Sequence, residues 1–387
     1  MTRGARPSPA RSDGPDVVVR IYKVAAEGDG LGRLEDGRVV FVAGGLPGEL
    51  VRCRITRQSR DYARAAVVDV IEPHRQRVDP PCPYVAQGCG GCDLQHASLA
   101  LQWDIKCAIV VESLTRLGKI VAPVVRPFGT GPAAADGSLA DRAKRLTVRV
   151  VGDASGRPGF RRRSSHDVVA IDHCLAADDG VNLHLVDLRL DPGYEAILRG
   201  ETTSVMHVNI EGVRFSLSSG SFFQSSVAAA EDLVRAVREA LGDPAEWVAG
   251  PVVDAYGGVG LFSATVVPPD RESIMIEVSG SACGDARVNL GDRRARIVEG
   301  PLETWAPESA AAVIADPPRD GLRTAGASVL AATGAPIIVL VSCDPASLGR
   351  DARLLGEAGY RFHSARVLGA FPHTHHVETV SRFEKIA

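Results

Sequence analysis

The sequence predicts a multidomain protein: a small OB-like β-barrel, a central β-rich region, and a C-terminal Rossmann-like α/β domain. Three observations carry this. Short strand-like runs with Gly-rich turns fill the chain from Val17 to Ile71. Three cysteines then crowd together at Cys82, Cys89 and Cys92. From about Ser221 onward, apolar strand runs alternate with helical patterns. A length of 387 residues is too great for one small core and fits two or three domains.

Residues 1–14 are rich in Pro, Ser and Gly, carry no apolar run of the kind a secretory signal needs, and read as a disordered tail. Residues 15–74 form the barrel. Its strands are Val17 to Ala25, Arg38 to Val42, Glu49 to Thr56 and Tyr62 to Ile71, with turns at Glu27-Gly28-Asp29-Gly30 and Gly44 to Gly48. About five short strands in roughly 55 residues suit a closed barrel, one face of which commonly binds single-stranded nucleic acid. Between Arg52 and Arg64 there are five arginines against the single acid Asp61. A second basic run, Arg142 to Arg163, holds eight Lys and Arg against Asp153. Either run alone reads as a solvated strand face. Two in one half of a chain of net charge −3 point to phosphate-binding surfaces.

The central region covers 75–92 and 121–220. Its cysteines have the pattern Cys82-x6-Cys89-Gly90-Gly91-Cys92, with Cys174 as the fourth. Glycines between close cysteines let the backbone wrap a compact centre. Four thiolates mean zinc or an iron–sulfur cluster, and spacing does not choose between them. Strands are expected over Arg145 to Val151 and Asp167 to Ile171.

The α/β domain takes 93–120, with a polar helix from about Ser98 to Leu117, and 221–387. Ala228 to Leu241 is an amphipathic helix, and Pro251 to Ala255 is a buried strand running into a Gly turn. Further strands lie at Ser273 to Glu277, Ala311 to Ala315, Pro336 to Ser342 and His376 to Phe383. Ligands of such a domain sit at the carboxyl ends of its strands.

Four features there carry chemistry. In Asp254-Ala-Tyr256-Gly-Gly258-Val-Gly260, glycines follow a buried strand, and Glu277 ends the next strand 19 residues after Gly258. A carboxylate at that second position can take both ribose hydroxyls. No third glycine follows on the helix, which speaks against a dinucleotide pyrophosphate. Asp254 at the strand end suits an adenosine ligand with a cationic amino-acid tail, S-adenosylmethionine. In Asp316-Pro-Pro-Arg319-Asp-Gly321, an acid at a strand tip is held by two prolines where a substrate would pass, though Pro-Pro and Asp-Gly are also common turn chemistry. Cys343, at the end of Pro336 to Ser342, reads by itself as core. Glu378, at the last strand, can face the same crevice, and a thiolate with a carboxylate base is a workable nucleophile and proton acceptor.

Together these residues resemble the RNA 5-methyluridine (uracil-C5) methyltransferases of the iron–sulfur type with an N-terminal TRAM barrel. The matching stretches are Cys82…Cys92-Asp-Leu-Gln-His96, Gly159 to His166, Ser221-Phe-Phe-Gln224, Asp254 to Gly260, Asp316 to Arg319, Val341-Ser-Cys-Asp-Pro345 and His376-Val-Glu378, in the family's order over nearly the full length. The resemblance implies S-adenosylmethionine as methyl donor, contacted by Gln224, Asp254, Tyr256, Gly258, Gly260, Glu277 and Asp316. It implies Gln224, Asp316 and Arg319 as contacts to a uracil taken out of its stack. Cys343 would add to C6, making C5 nucleophilic, and Glu378 would remove the C5 proton. Cys82, Cys89, Cys92 and Cys174 would hold a [4Fe-4S] cluster, structural or RNA-orienting. Ribosomal RNA is the implied substrate, with the T-loop of tRNA as the alternative. An idle RNA-binding factor is disfavoured because Cys343, Glu378, Asp316 and Gln224 are all present. A cluster-fed oxidoreductase is disfavoured by the missing glycine. With no apolar run near the ~18–20 residues of a membrane span, the chain reads as a cytoplasmic monomer.

Overall fold

The computed structural model describes residues 14–129, 139–163, 165–200 and 204–386. Nearly all of the expected tail, and Ser164 within the stretch Gly159 to His166, lie outside them. The chain divides into two compact units. One comprises the chain through Pro81 with Cys92–Ile105 and His373–His375; the other comprises Cys82–Gly91, Lys106–Pro372 and His376–Ala387. This division differs from the expected one. Residues 93–105 go with the barrel rather than with the α/β sheet, and the central β region is not split from that sheet.

In the first unit, β1 (Asp16–Arg20), β2 (Lys23–Val24), β3 (Gly30–Arg33), β4 (Val39–Ala43), β5 (Leu50–Gln58) and β6 (Tyr62–Glu72) form one sheet in the order β1-β5-β6-β4-β3-β2. The two end strands are consecutive in the chain, joined at Ile21-Tyr22, so the sheet closes on itself as a barrel. Side-chain alternation builds the core: Val51, Cys53 and Ile55 of β5 point in while Arg52 and Arg54 point out. The sequence reading passed over β3, whose Gly-Leu-Gly-Arg reads as a turn. The glycines are there for closeness: a Cβ at Gly32 would run into the Val19 side chain.

A buried ion pair sits on the barrel. Glu49, with no exposed surface, takes Arg77 on both oxygens (2.6 and 2.8 Å) together with the amides of His74 (3.0 Å) and Leu46 (2.9 Å). Burial alone would raise its pKa, but Arg77 and the two amides outweigh it and hold the carboxyl below its ordinary value. Replacing Arg77 by Ala leaves that carboxylate buried and unpaired, and is expected to cost about 3 kcal/mol, read as a drop in the urea midpoint of the full chain. A lowered folded pKa stabilises above the unfolded value of about 4.5 and is lost as pH falls through the folded one. The deficit of Arg77→Ala should therefore shrink in acid.

The basic runs are more neutralised than their composition suggests, because acids distant in sequence fold onto them. Arg52 pairs with Asp69, Arg54 with Asp16, and Arg64 with Asp29 and Glu27. Arg149 and Arg161 share Glu195. Arg57, Arg60 and Arg162 remain exposed.

In the second unit, α1 (Pro83–Ala86) is short, and α2 (Leu99–Arg116) enters from Lys106 onward. The expected polar character of α2 is not observed: Leu101, Ile105, Ile109, Val110 and Leu114 are buried along it. β7 (Val125–Phe128) follows. A four-stranded antiparallel sheet, in the order β10-β9-β8-β11, is built from β8 (Thr147–Gly152), β9 (Pro158–Arg161), β10 (Val168–Ala170) and β11 (Glu195–Arg199). The helix α3 (Asp179–Asp187) packs on it through Val181 and Leu185. A hairpin of β12 (Val205–Ile210) and β13 (Val213–Ser218) turns at Glu211-Gly212, both with positive φ, as a two-residue turn requires.

The remaining elements are α4 (Val227–Leu241), β14 (Val252–Ala255), α5 (Leu261–Thr265), β15 (Ser273–Glu277), α6 (Gly280–Leu290), β16 (Ala295–Glu299), β17 (Ala312–Ala315), α7 (Arg323–Ala332), β18 (Ile337–Ser342), α8 (Pro345–Glu357), β19 (Tyr360–Leu368) and β20 (Glu378–Lys385). Their sheet runs β16-β15-β14-β17-β18-β20-β19-β7. Every residue of β14 and β17 is buried, as expected of parallel strands covered on both faces. The chain steps outward from β14 to β15 and β16, then returns to β17 on the other side. That reversal opens a crevice beyond the ends of β14 and β17, where Asp254 and Asp316 stand.

Candidate active site

The turn after β14 is shaped by its backbone. Tyr256, Gly258 and Gly260 all have positive φ (60°, 56° and 85°), and a Cβ at Gly257 would collide with Met275. Asp254 is fully buried. Its Oδ2 accepts from the Ser263 amide (3.0 Å) and hydroxyl (2.7 Å), while its Oδ1 is buried without a hydrogen-bond partner. Burial pushes this carboxyl up to about 6, against the pull of the Ser263 bonds. Glu277 is fixed from both sides, its Oε2 accepting from Gly258 (3.0 Å) and its Oε1 from Ser279 (2.7 Å). Ser263 was not legible in the sequence as a partner. The Tyr256 hydroxyl turns toward Gly326 at the start of α7.

Asp316 follows β17, with its amide bonded to Ala255 O (3.2 Å) and its Oδ2 accepting from Gln224 Nε2 (3.4 Å). Burial first, and then the charges of Asp254 and Glu277, push it up to about 7, with Gln224 opposing. Arg319, two prolines later, is exposed.

The last pair is set by strand register. β18 and β20 are antiparallel with Ser342 opposite Thr379, so Cys343 and Glu378 are the next residues along the two strands. Thr379 Oγ1 donates to Ser342 O (3.0 Å), and Asp344 caps α8 by accepting from Ser347 N (2.7 Å), which fixes the chain on either side of the thiol. Burial, followed by the charges of Glu378 and Asp316, raises the Cys343 thiol to about 11, with Arg319 opposing. Glu378 is 5% exposed, and burial and then Asp316 hold its carboxyl well above the ordinary range, again with Arg319 opposing. Asp316 thus links two groups at one end of the sheet, Asp254, Glu277 and Gln224 on one side and Cys343 and Glu378, with Arg319 acting on both, on the other. Cys343 is neither deep core nor freely exposed.

Among the cysteines, the loop 82–91 bridges to the end of β9: Gly90 N donates to Arg161 O (2.9 Å), and Cys89 pairs with Arg162. Asn182 clamps the Cys174 backbone from both sides (2.8 and 3.1 Å). The Cys174 thiol is raised by burial; Arg145 lowers it, while Cys82 and Cys89 act in the raising direction. Among the described residues no group of three or more His, Cys, Asp or Glu is arranged to hold a metal ion. Cys92 opens the segment Cys92–Ile105 of the first unit. Among the described residues, no helix is long and apolar enough to cross a membrane.

A glycine turn at the strand reversal, beside a buried acid with one oxygen left open, fits the S-adenosylmethionine-dependent methyltransferase fold that a solved relative shares. A TRAM domain matches residues 14–68. An uncharacterized RNA methyltransferase of Streptomyces avermitilis is 32% identical across 97% of this chain and 99% of its own length. The 23S rRNA (uracil(1939)-C(5))-methyltransferase RlmD of Acidithiobacillus ferrooxidans is 31% identical across 98% of this chain and 100% of its own. The Pyrococcus abyssi tRNA (uracil-54, C5)-methyltransferase, solved with S-adenosyl-L-homocysteine, shares the fold at a TM-score of 0.71 and 20% identity, over 95% of this chain and 100% of that one. The chain belongs to the RNA uracil-C5 methyltransferase family that RlmD represents.

Proposed function

We propose that this protein transfers the methyl group of S-adenosylmethionine to C5 of a uridine in RNA, with 23S rRNA as substrate and Cys343 as nucleophile. The observation that carries this is the register of β18 and β20, which sets a thiol and a buried carboxylate side by side next to Asp316 and Gln224. Cys343 adds to C6 of uracil; C5 takes the methyl from the sulfonium, releasing S-adenosylhomocysteine. Glu378 takes the C5 proton, and the C6–S bond breaks. Asp316, Gln224 and Arg319 hold the base.

The near full-length match to an enzyme named for 23S rRNA supports ribosomal RNA over tRNA. The test is anaerobic incubation with labelled S-adenosylmethionine and total RNA from a strain lacking the gene, with label mapped by mass spectrometry. Label on C5 of one 23S uridine is expected. Label on tRNA would move the substrate, and label away from uracil C5 would sink the reading.

Asp254 Oδ1 takes the cofactor's ammonium in this reading, while Glu277 and the turn Tyr256 to Gly260 hold the adenosine. Four acids in one crevice favour a cationic ligand. Asp254→Asn keeps an acceptor for Ser263 and removes the charge; it is expected to weaken S-adenosylmethionine binding about 10- to 100-fold by calorimetry.

The part of the second unit around Cys82, Cys89 and Cys174 is proposed as an iron–sulfur and RNA-binding part of the chain. The support for this is the charge beside Cys174 and not an assembled ligand set: Arg145 acts on Cys174, and its Nε is buried without a hydrogen-bond partner. A [4Fe-4S] cluster held there would brace the RNA-binding surface and take no part in methyl transfer. Iron and sulfide analysis after anaerobic purification separates it from zinc.

A further inference from the structure

We propose that Asp351 is a positioning residue for this reaction: one buried carboxylate on the helix behind Cys343 fixes the far end of the loop that carries Asp316 and Arg319. The inference rests on the roles given above to Cys343 and Arg319.

Asp351 lies on the buried face of α8 with Ser347, Leu348, Gly349, Ala352 and Leu355, and is the one charged residue among them. Asp351 itself is 1% exposed. A carboxylate in such a place needs donors, and two amides from another element supply them. Its Oδ2 accepts from Leu322 N (2.8 Å) and its Oδ1 from Arg323 N (3.2 Å). These belong to the first turn of α7, where Leu322 offers no side-chain cap of its own. Asp351 therefore caps α7 from a different helix, satisfying amides that the helix start would leave open.

The loop is shaped to meet it. Gly321 has φ +76°, and a Cβ there would collide with Asp351 Oδ2. Gly321 N donates to Pro318 O (2.8 Å), closing the turn that carries Arg319. Between the anchor at Asp316, bonded to Ala255, and the anchor at Leu322, the residues Pro318, Arg319 and Asp320 are exposed. The position of Arg319 is thus set by the two ends of the loop. α8 begins two residues after Cys343, so the same helix that follows the thiol holds the end of the Arg319 loop. Asp351 keeps the cation in register with the thiol and with Glu378, the groups on which Arg319 acts.

The test uses the full chain with Asp351→Asn, Gly321→Ala and Arg319→Ala. Asn offers one amide of α7 a donor in place of an acceptor, and the alanine at 321 pushes the carboxylate off the loop. For both, kcat is expected to fall about 10- to 100-fold, the scale of a displaced catalytic group, with S-adenosylmethionine affinity unchanged within about twofold. The second readout is iodoacetamide alkylation of Cys343, followed by peptide mass spectrometry across pH. In the unliganded protein its midpoint should move upward in all three variants. Asp351→Asn combined with Arg319→Ala should move it no further than Arg319→Ala alone, since both act through one group.

Unchanged kcat and alkylation in Asp351→Asn and Gly321→Ala would overturn the proposal. So would lost activity with an unchanged alkylation profile and a lowered melting temperature, which is the mark of a plain structural brace. Should Cys343→Ala remain active, the nucleophile assignment fails, while alkylation of the wild-type thiol still reports the loop.

Discussion

Cys343→Ala is expected to abolish methyl transfer, lowering turnover about 10^4-fold or more, while S-adenosylmethionine still binds. The size follows from what the thiol supplies. C5 of uracil is a poor nucleophile until a group adds at C6, and Cys343 is the thiol at the end of β18. Burial has raised the thiol to about 11 in the unliganded protein. At pH 7 only about one thiol in 10^4 is then ionised. Alkylation of the resting enzyme is expected to be slow, and in the proposed mechanism positive charge ionises the thiol as ligands arrive. Arg319 already acts in that direction, and the sulfonium of the methyl donor adds to it. Alkylation of Cys343 should accordingly speed up when S-adenosylmethionine is bound and less so with S-adenosylhomocysteine, which lacks the sulfonium charge. A Cys343→Ala enzyme that methylates uridine at the wild-type rate would remove the covalent mechanism.

The parts of this site that were legible in the sequence are those where one residue type must stand at a strand end. Asp254, Asp316 and Cys343 each follow an apolar run, so their place at the sheet's edge could be read from hydrophobicity alone. Glu378 needed more. That it opens the last strand was legible; that it lies one pair beyond Ser342 and Thr379 is a matter of antiparallel register, which the sequence pattern does not set. Asp351 went unread because its partners are backbone amides, which leave no trace in side-chain identity. The available signal was an acid on the buried face of an amphipathic helix, with Leu348 and Leu355 on either side. The strand Gly30–Arg33 was missed because its glycines, chosen for closeness to Val19, look like turn residues. The arginine runs carry less unpaired charge than their composition suggests, for a related reason. Acids that neutralise them, such as Asp16 for Arg54 and Glu195 for Arg161, are distant in sequence and close only once the strands pair.

Glu378→Gln separates the two halves of the reaction. Turnover is expected to fall about 10^3-fold, within the range for loss of a general base. A covalent protein–RNA species should build up, stable in denaturing gels and already carrying the labelled methyl group. In the proposed mechanism, addition of Cys343 and methyl transfer do not need the carboxylate; loss of the C5 proton, which lets the C6–S bond break, does. The wild-type enzyme should slow in acid, because the proton acceptor must be ionised and burial holds Glu378 well above 4.5. The Gln variant should lose that limb. Unfolding would not explain the result, as the sign of linkage shows. A carboxyl whose folded pKa is raised stabilises the fold fully below its unfolded value, and that contribution is lost as pH rises through the folded one. At pH 8 the acid is ionised in the unfolded chain, so the wild-type protein bears the cost of burying that group at 378, whereas Gln is neutral in both states. The variant should melt no lower than wild type there. An inactive Gln variant that forms no adduct, or one that turns over normally, would take the base assignment away from Glu378.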